Sequence, residues 1–314
     1  MKVFISHESA LEYWRIHRVM PKGSDERRPK VLIPNNPPVT KQVKRTGLTP
    51  PVHVLLSNPN VRWLSQTMKQ HVLTSKTTAG CFIGVEDWLM VSSPEFCFIQ
   101  MAGTLSLVKL IELGYEFCGA YSLPVAEDPE PPERGFYKRK PLTSKKNLGV
   151  FISHMSNIKG CKKAELALRY VIDDSASPME TKLSVLLTLP YRFGGFGLIT
   201  PELNSYITLT KTAKQSSSKS FYICDMFWAD YNLAVEYDSA QYHSGSEHIA
   251  TDSKKRNALS SMGVMVITVT KQQLYSRMEF EKVARILAKR LGKRLVLKNS
   301  FKIAHRGLRK ELFL

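Results

Sequence analysis

Three acidic side chains fall on the two arms of a predicted β-hairpin in the last third of the chain. Asp225 lies on the first arm, and Glu236 and Asp238 lie on the second. A loop over residues 229–232 places Asp225 directly opposite Glu236, with Cβ atoms about 4.5–5.5 Å apart. Carboxylates this close repel each other unless a cation or a proton lies between them. Hard oxygen donors of this kind indicate Mg²⁺ or Mn²⁺; the alternative is a solvated hairpin face.

The chain as a whole is strongly basic. Its 45 Lys and Arg exceed its 27 Asp and Glu, which gives a formal charge of +18 over 314 residues. From Lys254 to Leu314 there are 16 Lys or Arg against 3 Glu, a local charge of +13. Such an excess attracts polyanions, and we expect nucleic acid rather than an acidic membrane surface. Lys254, Lys255 and Arg256 are predicted to contact phosphates or to compensate the acidic pair; a solvated helix face is the alternative.

The elements around the hairpin predict an α/β domain with a mixed sheet. In chain order they are a helix, a strand, the two hairpin strands, a helix, a strand and a last helix, at residues 177–189, 205–209, 221–228, 233–238, 249–262, 264–269 and 280–291. Hairpin strands run antiparallel, whereas a helical crossover produces a parallel pair. Upstream, strands at 52–56 and 88–91, a helix starting at Ser93 and another ending near Gly114 predict a smaller α+β domain.

The hairpin and the residues that follow it resemble the PD-(D/E)XK nuclease superfamily, and most closely the very-short-patch-repair-like endonucleases. The segments that carry the resemblance are Tyr222–Asp225, Ala234–Asp238 and Gln241–His243. In that group an acid on the first strand binds metal, an acidic motif follows on the next strand, and a His comes five residues after its last acid. Here Asp225, then Glu236 with Asp238, then His243 match this order. The resemblance covers residues 177–291.

The resemblance implies a restriction-endonuclease-like core, in which helices flank a mixed central sheet. Asp225 and Glu236 would hold Mg²⁺ or Mn²⁺, with the carbonyl of Tyr237 as a further ligand. His243 would act as a general base on the attacking water or protonate the leaving oxygen; alternatively it is a loop histidine bonded to backbone. Asp238 replaces the lysine of the superfamily's E-x-K motif. The repair-like branch lacks that lysine too, and there the His assists.

Glu180 has two interpretations that the sequence leaves open. It matches an acid on the first helix of the superfamily, which would make it a catalytic-site residue. Ser177-x-x-Glu180, with Pro178 between them, is also a capping box, in which the glutamate turns back towards the helix terminus.

The N-terminal part resembles, more weakly, the effector region of AbiEi-like type IV antitoxins. The residues that carry this resemblance are Val52–Leu56 and the segment from Trp88 to Ala102. We therefore predict a DNA- or partner-binding α+β domain at residues 1–123 and a Pro-rich, basic linker at 124–160. The nuclease-like domain would occupy 161–314 and end in a basic tail.

Together these patterns predict a metal-dependent DNA endonuclease that hydrolyses phosphodiester bonds, in a defence or toxin–antitoxin context. No apolar run approaches the roughly 20 residues that span a bilayer. The five cysteines are odd in number and lack C-x-x-C spacing, so we expect reduced thiols in a cytoplasmic protein. Two alternatives stay open: a DNA-binding regulator or antitoxin that keeps the nuclease fold without cleaving, and an RNA-directed nuclease.

Overall fold

The protein divides into two compact units in the computed structural model, which describes residues 2–21, 23, 28, 30–74, 78–155, 157–215, 219–238 and 246–313. The first unit ends at Asp173 and the second begins at Asp174. Each unit combines helices with a β-sheet of its own, so the predicted mixed α/β class is confirmed. The five cysteines are buried and unpaired.

The first unit is built around a five-stranded sheet. Its elements are β1 (Val3–Ile5), α1 (His7–His17), α2 (Thr40–Lys44), β2 (Val52–Leu56), β3 (Met68–Val72), β4 (Phe82–Glu86), β5 (Leu89–Ser92), α3 (Pro94–Met101), α4 (Leu107–Cys118), β6 (Tyr121–Ser122), β7 (Tyr137–Lys138), α5 (Lys145–His154) and α6 (Cys161–Leu168). The strand order is β3-β2-β1-β5-β4. The β1–β5 and β2–β3 pairs are parallel, and the β1–β2 and β4–β5 pairs are antiparallel.

The prediction that a helix ends near Gly114 is wrong, because α4 continues to Cys118. Gly114 is needed for close packing instead. A Cβ built at this position would lie 2.4 Å from Cγ2 of Val171 and 3.3 Å from Cε2 of Phe98. Val171 is fully buried and β-branched, so it has no room to move aside. Glycine therefore lowers the intrinsic helix propensity of α4 but allows the close contact with Val171.

We expect Gly114→Ala to lower the free energy of unfolding by about 1–2 kcal/mol, because the overpacking cost of about 1–3 kcal/mol exceeds the gain in helix propensity. Gly149→Ala in α5 is the matched control. Its new Cβ would meet Leu168 at 3.6 Å, an ordinary contact, so stability should hold or rise. Urea unfolding of both variants measures the difference, and equal stabilities would contradict the close approach.

Residues 124–160, predicted as a linker, belong to the first unit. Strand β7 of this segment pairs with β6, which precedes it. The backbone N–H of Leu142, also in the segment, donates to the carbonyl of Phe117 at 2.9 Å. Leu148 and Ile152 of α5 are buried. The Pro- and charge-rich composition correctly indicates irregular backbone, but these contacts attach the segment to its own unit. The boundary accordingly falls at Asp173/Asp174 rather than at 160/161.

The second unit is built around a four-stranded sheet. Its elements are α7 (Pro178–Thr188), β8 (Glu202–Thr208), α8 (Lys211–Gln215), β9 (Phe221–Trp228), β10 (Leu233–Asp238), α9 (Ser246–Ser261), β11 (Met265–Thr270), α10 (Lys271–Tyr275), α11 (Arg277–Arg290) and α12 (Asn299–Phe313). The strand order is β11-β10-β9-β8. The β8–β9 and β9–β10 pairs are antiparallel and β10–β11 is parallel, as predicted from the hairpins and the crossover.

Local capping explains why the predicted helix starts are accurate. Ser93 accepts a hydrogen bond from the N–H of Phe96, and Ser177 accepts one from the N–H of Glu180, each at 3.2 Å. A proline occupies the first helical position in both cases, where it needs no donor of its own. Both signals lie within four residues of the chain and need no tertiary contact.

The predicted basic tail is instead a helix. One side of α12 buries the apolar residues Phe301, Leu308 and Leu312 within the second unit. His305 of the same helix contacts the carbonyl of Gly194 through Nδ1 at 2.6 Å. A Cβ on Gly194 would come within 2.5 Å of the carbonyl of Ala304, so the glycine allows the helix to approach.

Candidate functional site

The β9–β10 hairpin places two of the predicted acids on adjacent strands. Its rungs pair Trp228 with Leu233 and Met226 with Val235, which confirms the predicted register. Asp225 and Glu236 are the next residues beyond the last rung. At this position a side-chain hydrogen bond replaces a backbone one. Oδ2 of Asp225 accepts a hydrogen bond from the backbone N–H of Tyr237 at 2.7 Å. The Asp225 carboxylate is thereby held towards β10.

Glu180 faces the start of α7 and also lies near Asp225, so its catalytic role stays a prediction. Its Oε2 accepts a hydrogen bond from the backbone N–H of Ala176 at 2.9 Å, so the carboxylate does face the start of α7. The same oxygen accepts a hydrogen bond from Nδ2 of Asn204 at 2.8 Å. Glu180 is also near enough to raise the pKa of Asp225. Its capping position therefore brings it into the acidic cluster.

Burial and mutual repulsion make the cluster electrostatically strained. Burial raises the pKa of Asp225 well above its usual range, and the charges of Glu180 and Glu236 raise it further. Burial also raises the pKa of Glu180, to which Glu236 adds a smaller effect. Asp225 and Glu180, whose ionisation is disfavoured by burial and by neighbouring carboxylates, act as a strong site for a proton or a cation.

Lys255 supplies one such cation. It lies on α9, and its Nζ is 2.8 Å from Oε1 of Glu236 and donates to the carbonyl of Ile223 at 2.6 Å. The side chains of Lys255 and Glu236 are only 19% and 22% exposed, so water screens the pair weakly. Although burial opposes the charged form, the contact with Glu236 raises the pKa of Lys255. This contact fits one role that the sequence left open for this lysine, compensation of the acids, and the phosphate contact stays a prediction.

The remaining predicted residues lie apart from this cluster or outside the described residues. Asp238 ends β10, pairs with Thr270 of β11 and is exposed. Lys254 and Arg256 are exposed on α9, on either side of Lys255. His243 falls within residues 239–245, outside the described part of the chain.

Sequence reasoning missed Asn204, and it offered compensation of the acids for Lys254, Lys255 and Arg256 alike without singling out Lys255. Asn204 adopts a left-handed conformation with φ of 47° and bridges Glu180 to the carbonyl of Asp174. Asparagine tolerates that conformation better than most residues, but no neighbouring residue pattern marks the position. The lysine lies 17 residues beyond the strand that holds the E-x-K position, so its partner becomes visible only once α9 packs on the sheet.

The donor set suits a hard divalent ion, with two carboxylates as its protein ligands. Carboxylate oxygens are what Mg²⁺ and Mn²⁺ prefer, and such ions keep several waters when few side chains reach them. Among the described residues, Glu180, Asp225 and Glu236 do not bring three oxygens within 4.8 Å of one another. Asp225 and Glu236, the pair that the sequence predicts, would hold the ion, and Glu180, whose charge acts on Asp225 more strongly than that of Glu236, would add negative charge beside them. The Tyr237 carbonyl stays a predicted ligand.

Comparison with protein-family models, curated proteins and solved structures finds no match for this chain. Within the described residues, no helix has both the length and the apolar character that crossing a membrane requires.

The raised pKa of Asp225 predicts a pH dependence of stability. Above about pH 4 the folded state holds a proton at Asp225 that the unfolded chain releases, so stability should fall as pH rises through that range towards the folded pKa. We expect the melting temperature of the metal-free protein to fall more between about pH 5 and about pH 8 in wild type than in Asp225→Asn. Added Mg²⁺ should reduce the loss in wild type alone.

Asp230→Asn is the control for this measurement, since Asp230 lies in the exposed hairpin turn. Its melting temperature should follow that of wild type at every pH. If the melting temperature of Asp225→Asn depended on pH as that of wild type does, burial and the neighbouring carboxylates would not raise the pKa of Asp225.

Proposed function

We propose that the second unit is a metal-dependent endonuclease domain that hydrolyses phosphodiester bonds in DNA. The observation that carries the proposal is the meeting of Glu180, Asp225 and Glu236 with a weakly screened lysine, Lys255, at one place on the sheet. Structural ion pairs seldom need three acids and one cation. Metal-dependent phosphodiester hydrolysis can use this combination, because the acids bind a metal and the lysine offers positive charge to a phosphate.

Each side chain has a defined task in this proposal. Asp225, oriented by its hydrogen bond from Tyr237, and Glu236 would hold Mg²⁺ or Mn²⁺. Such an ion, when bound, polarises the scissile phosphate and lowers the pKa of a water ligand. Lys255 would stand in for the lysine missing from the E-x-K position, which Asp238 occupies. It would place its ammonium group beside the attacked phosphate and the attacking water.

The basic surface of the same unit supports DNA as the substrate. Lys254 and Arg256 are exposed on the helix that carries Lys255. The chain from residue 254 onwards has a local charge of +13, from 16 Lys or Arg and 3 Glu. Charges of this sign bind the phosphate backbone whatever its sequence. RNA has the same backbone charge, so a labelled RNA belongs in the substrate panel.

A cleavage assay tests the proposal. Purified full-length protein should nick or cut plasmid, linear or single-stranded DNA with Mg²⁺ or Mn²⁺, and EDTA should stop the reaction. Glu236 forms an ion pair with Lys255, and Glu180 accepts hydrogen bonds from Ala176 and Asn204. These contacts also fit a second function, a DNA-binding regulator with an inactive nuclease site. Protein that binds DNA well but leaves every substrate intact across several metals would favour the regulator.

A further inference from the structure

A second cluster of metal-ligand residues lies in the first unit, far along the chain from the acidic site. Its members are Glu8 in the first turn of α1, His53 on β2 and His71 on β3. One ligand atom from each lies within 4.8 Å of the others. It is the one group of three or more such residues found in the described part of the chain.

Strand pairing and helix placement bring these residues together. The parallel register of β2 and β3 pairs Leu55 with His71. Because side chains two apart on a strand share a face, His53 and His71 project from the same side of the sheet. The start of α1 is fastened above them, since the backbone N–H of His53 donates to Oγ of Ser9 at 2.9 Å. Glu8 is thus positioned by contacts on both sides of it in sequence, including one from Ser6 N–H to the His53 carbonyl.

Glu8, His53 and His71 lack the protons or positive charge that would satisfy every contact made at Nδ1 of His53. Its Nδ1 is 2.5 Å from Oε2 of Glu8 and 3.2 Å from Nε2 of His71. A ring nitrogen carries either one proton or one lone pair, so it satisfies only one of these neighbours fully. If Nδ1 is protonated towards Glu8, His71 lacks a donor there. If it accepts from His71, its lone pair faces a carboxylate oxygen. A cation among the three atoms satisfies all of them.

The separation of the two imidazole nitrogens also fits a transition-metal ion, whereas the 2.5 Å between Nδ1 of His53 and Oε2 of Glu8 is a hydrogen-bond distance that metal binding would lengthen. Zinc binds imidazole nitrogen at about 2.0–2.1 Å, so two such ligands at a tetrahedral angle lie about 3.3 Å apart. The two imidazole nitrogens here are 3.2 Å apart. The ring of His7 stacks on His71 with centroids 3.6 Å apart, which restrains the orientation of that ligand.

His71 also lines a cavity of about 540 Å³, together with His7, Gln100, Thr104 and Lys159. The conformation of His7 is unusual, with φ of 48°, and its backbone N–H donates to Oε1 of Gln100 at 3.0 Å. Non-glycine residues in left-handed conformations concentrate at functional sites. Three protein ligands would leave a coordination position for water or a ligand that enters through the cavity.

We propose that Glu8, His53 and His71 bind a divalent transition-metal ion of the Zn²⁺ type. Two imidazoles and one carboxylate suit Zn²⁺, and the same set binds Fe²⁺ in other proteins, so the shared chemistry is a borderline-soft divalent ion. This site differs in kind from the Asp225–Glu236 site, whose donors are all oxygen. The proposal goes beyond the nuclease function and does not depend on it.

Co²⁺ binding to the full-length protein tests the site. Because Co²⁺ bound by imidazole with fewer than six ligands absorbs visible light strongly, one equivalent should produce such a spectrum, and Zn²⁺ should displace it. Asp225→Asn should keep the signal, which separates this site from the one in the second unit. Metal analysis of the purified protein then distinguishes Zn²⁺ from Fe²⁺; either ion, held through His71, supports the proposal.

Glu8→Gln and His71→Gln should weaken Co²⁺ binding by more than the about 10–100-fold that follows loss of a hydrogen-bond partner of a metal ligand. His154→Gln, at an exposed histidine of α5, should bind like wild type. Circular dichroism checks folding, and Glu8→Gln decides the matter if His71→Gln misfolds, because it preserves shape. The proposal is overturned if wild type fails to bind micromolar Co²⁺ or Zn²⁺, or if folded Glu8→Gln binds as tightly as wild type.

Discussion

Asp225→Asn is expected to reduce metal-dependent DNA cleavage by about 10³-fold or more, because a metal ion stabilises charge at the reacting phosphate by several kcal/mol. The substitution keeps the shape of the side chain but removes its charge. The hydrogen bond from the Tyr237 N–H to the side-chain oxygen at this position can persist, so the hairpin should keep its geometry. The loss would then reflect chemistry rather than unfolding.

DNA binding should distinguish this loss from a loss of substrate affinity. Removal of a negative charge near the phosphates should leave binding unchanged or make it tighter. Single-turnover cleavage at saturating DNA, beside a filter-binding titration, measures the two effects separately. Asp230→Asn should cleave like wild type, since it makes the same chemical change in the exposed turn of the same hairpin. Equal cleavage by Asp225→Asn and wild type would remove Asp225 from the site.

Lys255→Met is expected to slow cleavage by about 10²–10³-fold, the range found when one preorganised donor to a transition-state charge is removed. The methionine side chain has a similar length but cannot approach a phosphate as a cation. Lys255→Arg should retain part of the activity, because the charge remains while its geometry changes. Lys255 would then behave as the functional substitute for the absent E-x-K lysine.

The same substitution should also affect stability. Loss of the ammonium group leaves Glu236 partly buried without its partner, which should cost about 1–3 kcal/mol. Lys254→Met is the matched control, since the neighbouring lysine is exposed on the same helix. It should weaken DNA binding slightly and leave the single-turnover rate and the unfolding free energy nearly unchanged. Wild-type cleavage by Lys255→Met would confine the lysine to a structural role.

The two proposed sites would use metals of different kinds within one chain. The acidic site offers oxygen donors and suits Mg²⁺ or Mn²⁺, whereas Glu8, His53 and His71 include two imidazoles. Cleavage assays should therefore specify both ions. Wild type and Asp225→Asn should both be loaded with Zn²⁺ before Mg²⁺ is added. The two proteins are then compared with the Glu8–His53–His71 site in the same state.

Features of the sequence that act over a few residues determined the hairpin of the second unit and helix starts in both units. The hairpin register follows from a four-residue loop and from alternation along two strands, and both can be read directly from the order of the residues. The helix starts after Ser93 and Ser177 follow from hydroxyl caps and prolines at adjacent positions. The parallel pairing of β10 and β11 follows from the helix that connects them.

Contacts between distant segments were decided only by the tertiary structure. Gly114 looks like a helix end until Val171 packs against it, and Lys255 gains its partner Glu236 only when α9 lies on the sheet. Glu8 and His71 are 63 positions apart in the chain, yet strand pairing brings both to His53. Such contacts depend on how elements pack in three dimensions. That packing cannot be predicted from the spacing or the periodicity of residues along the chain.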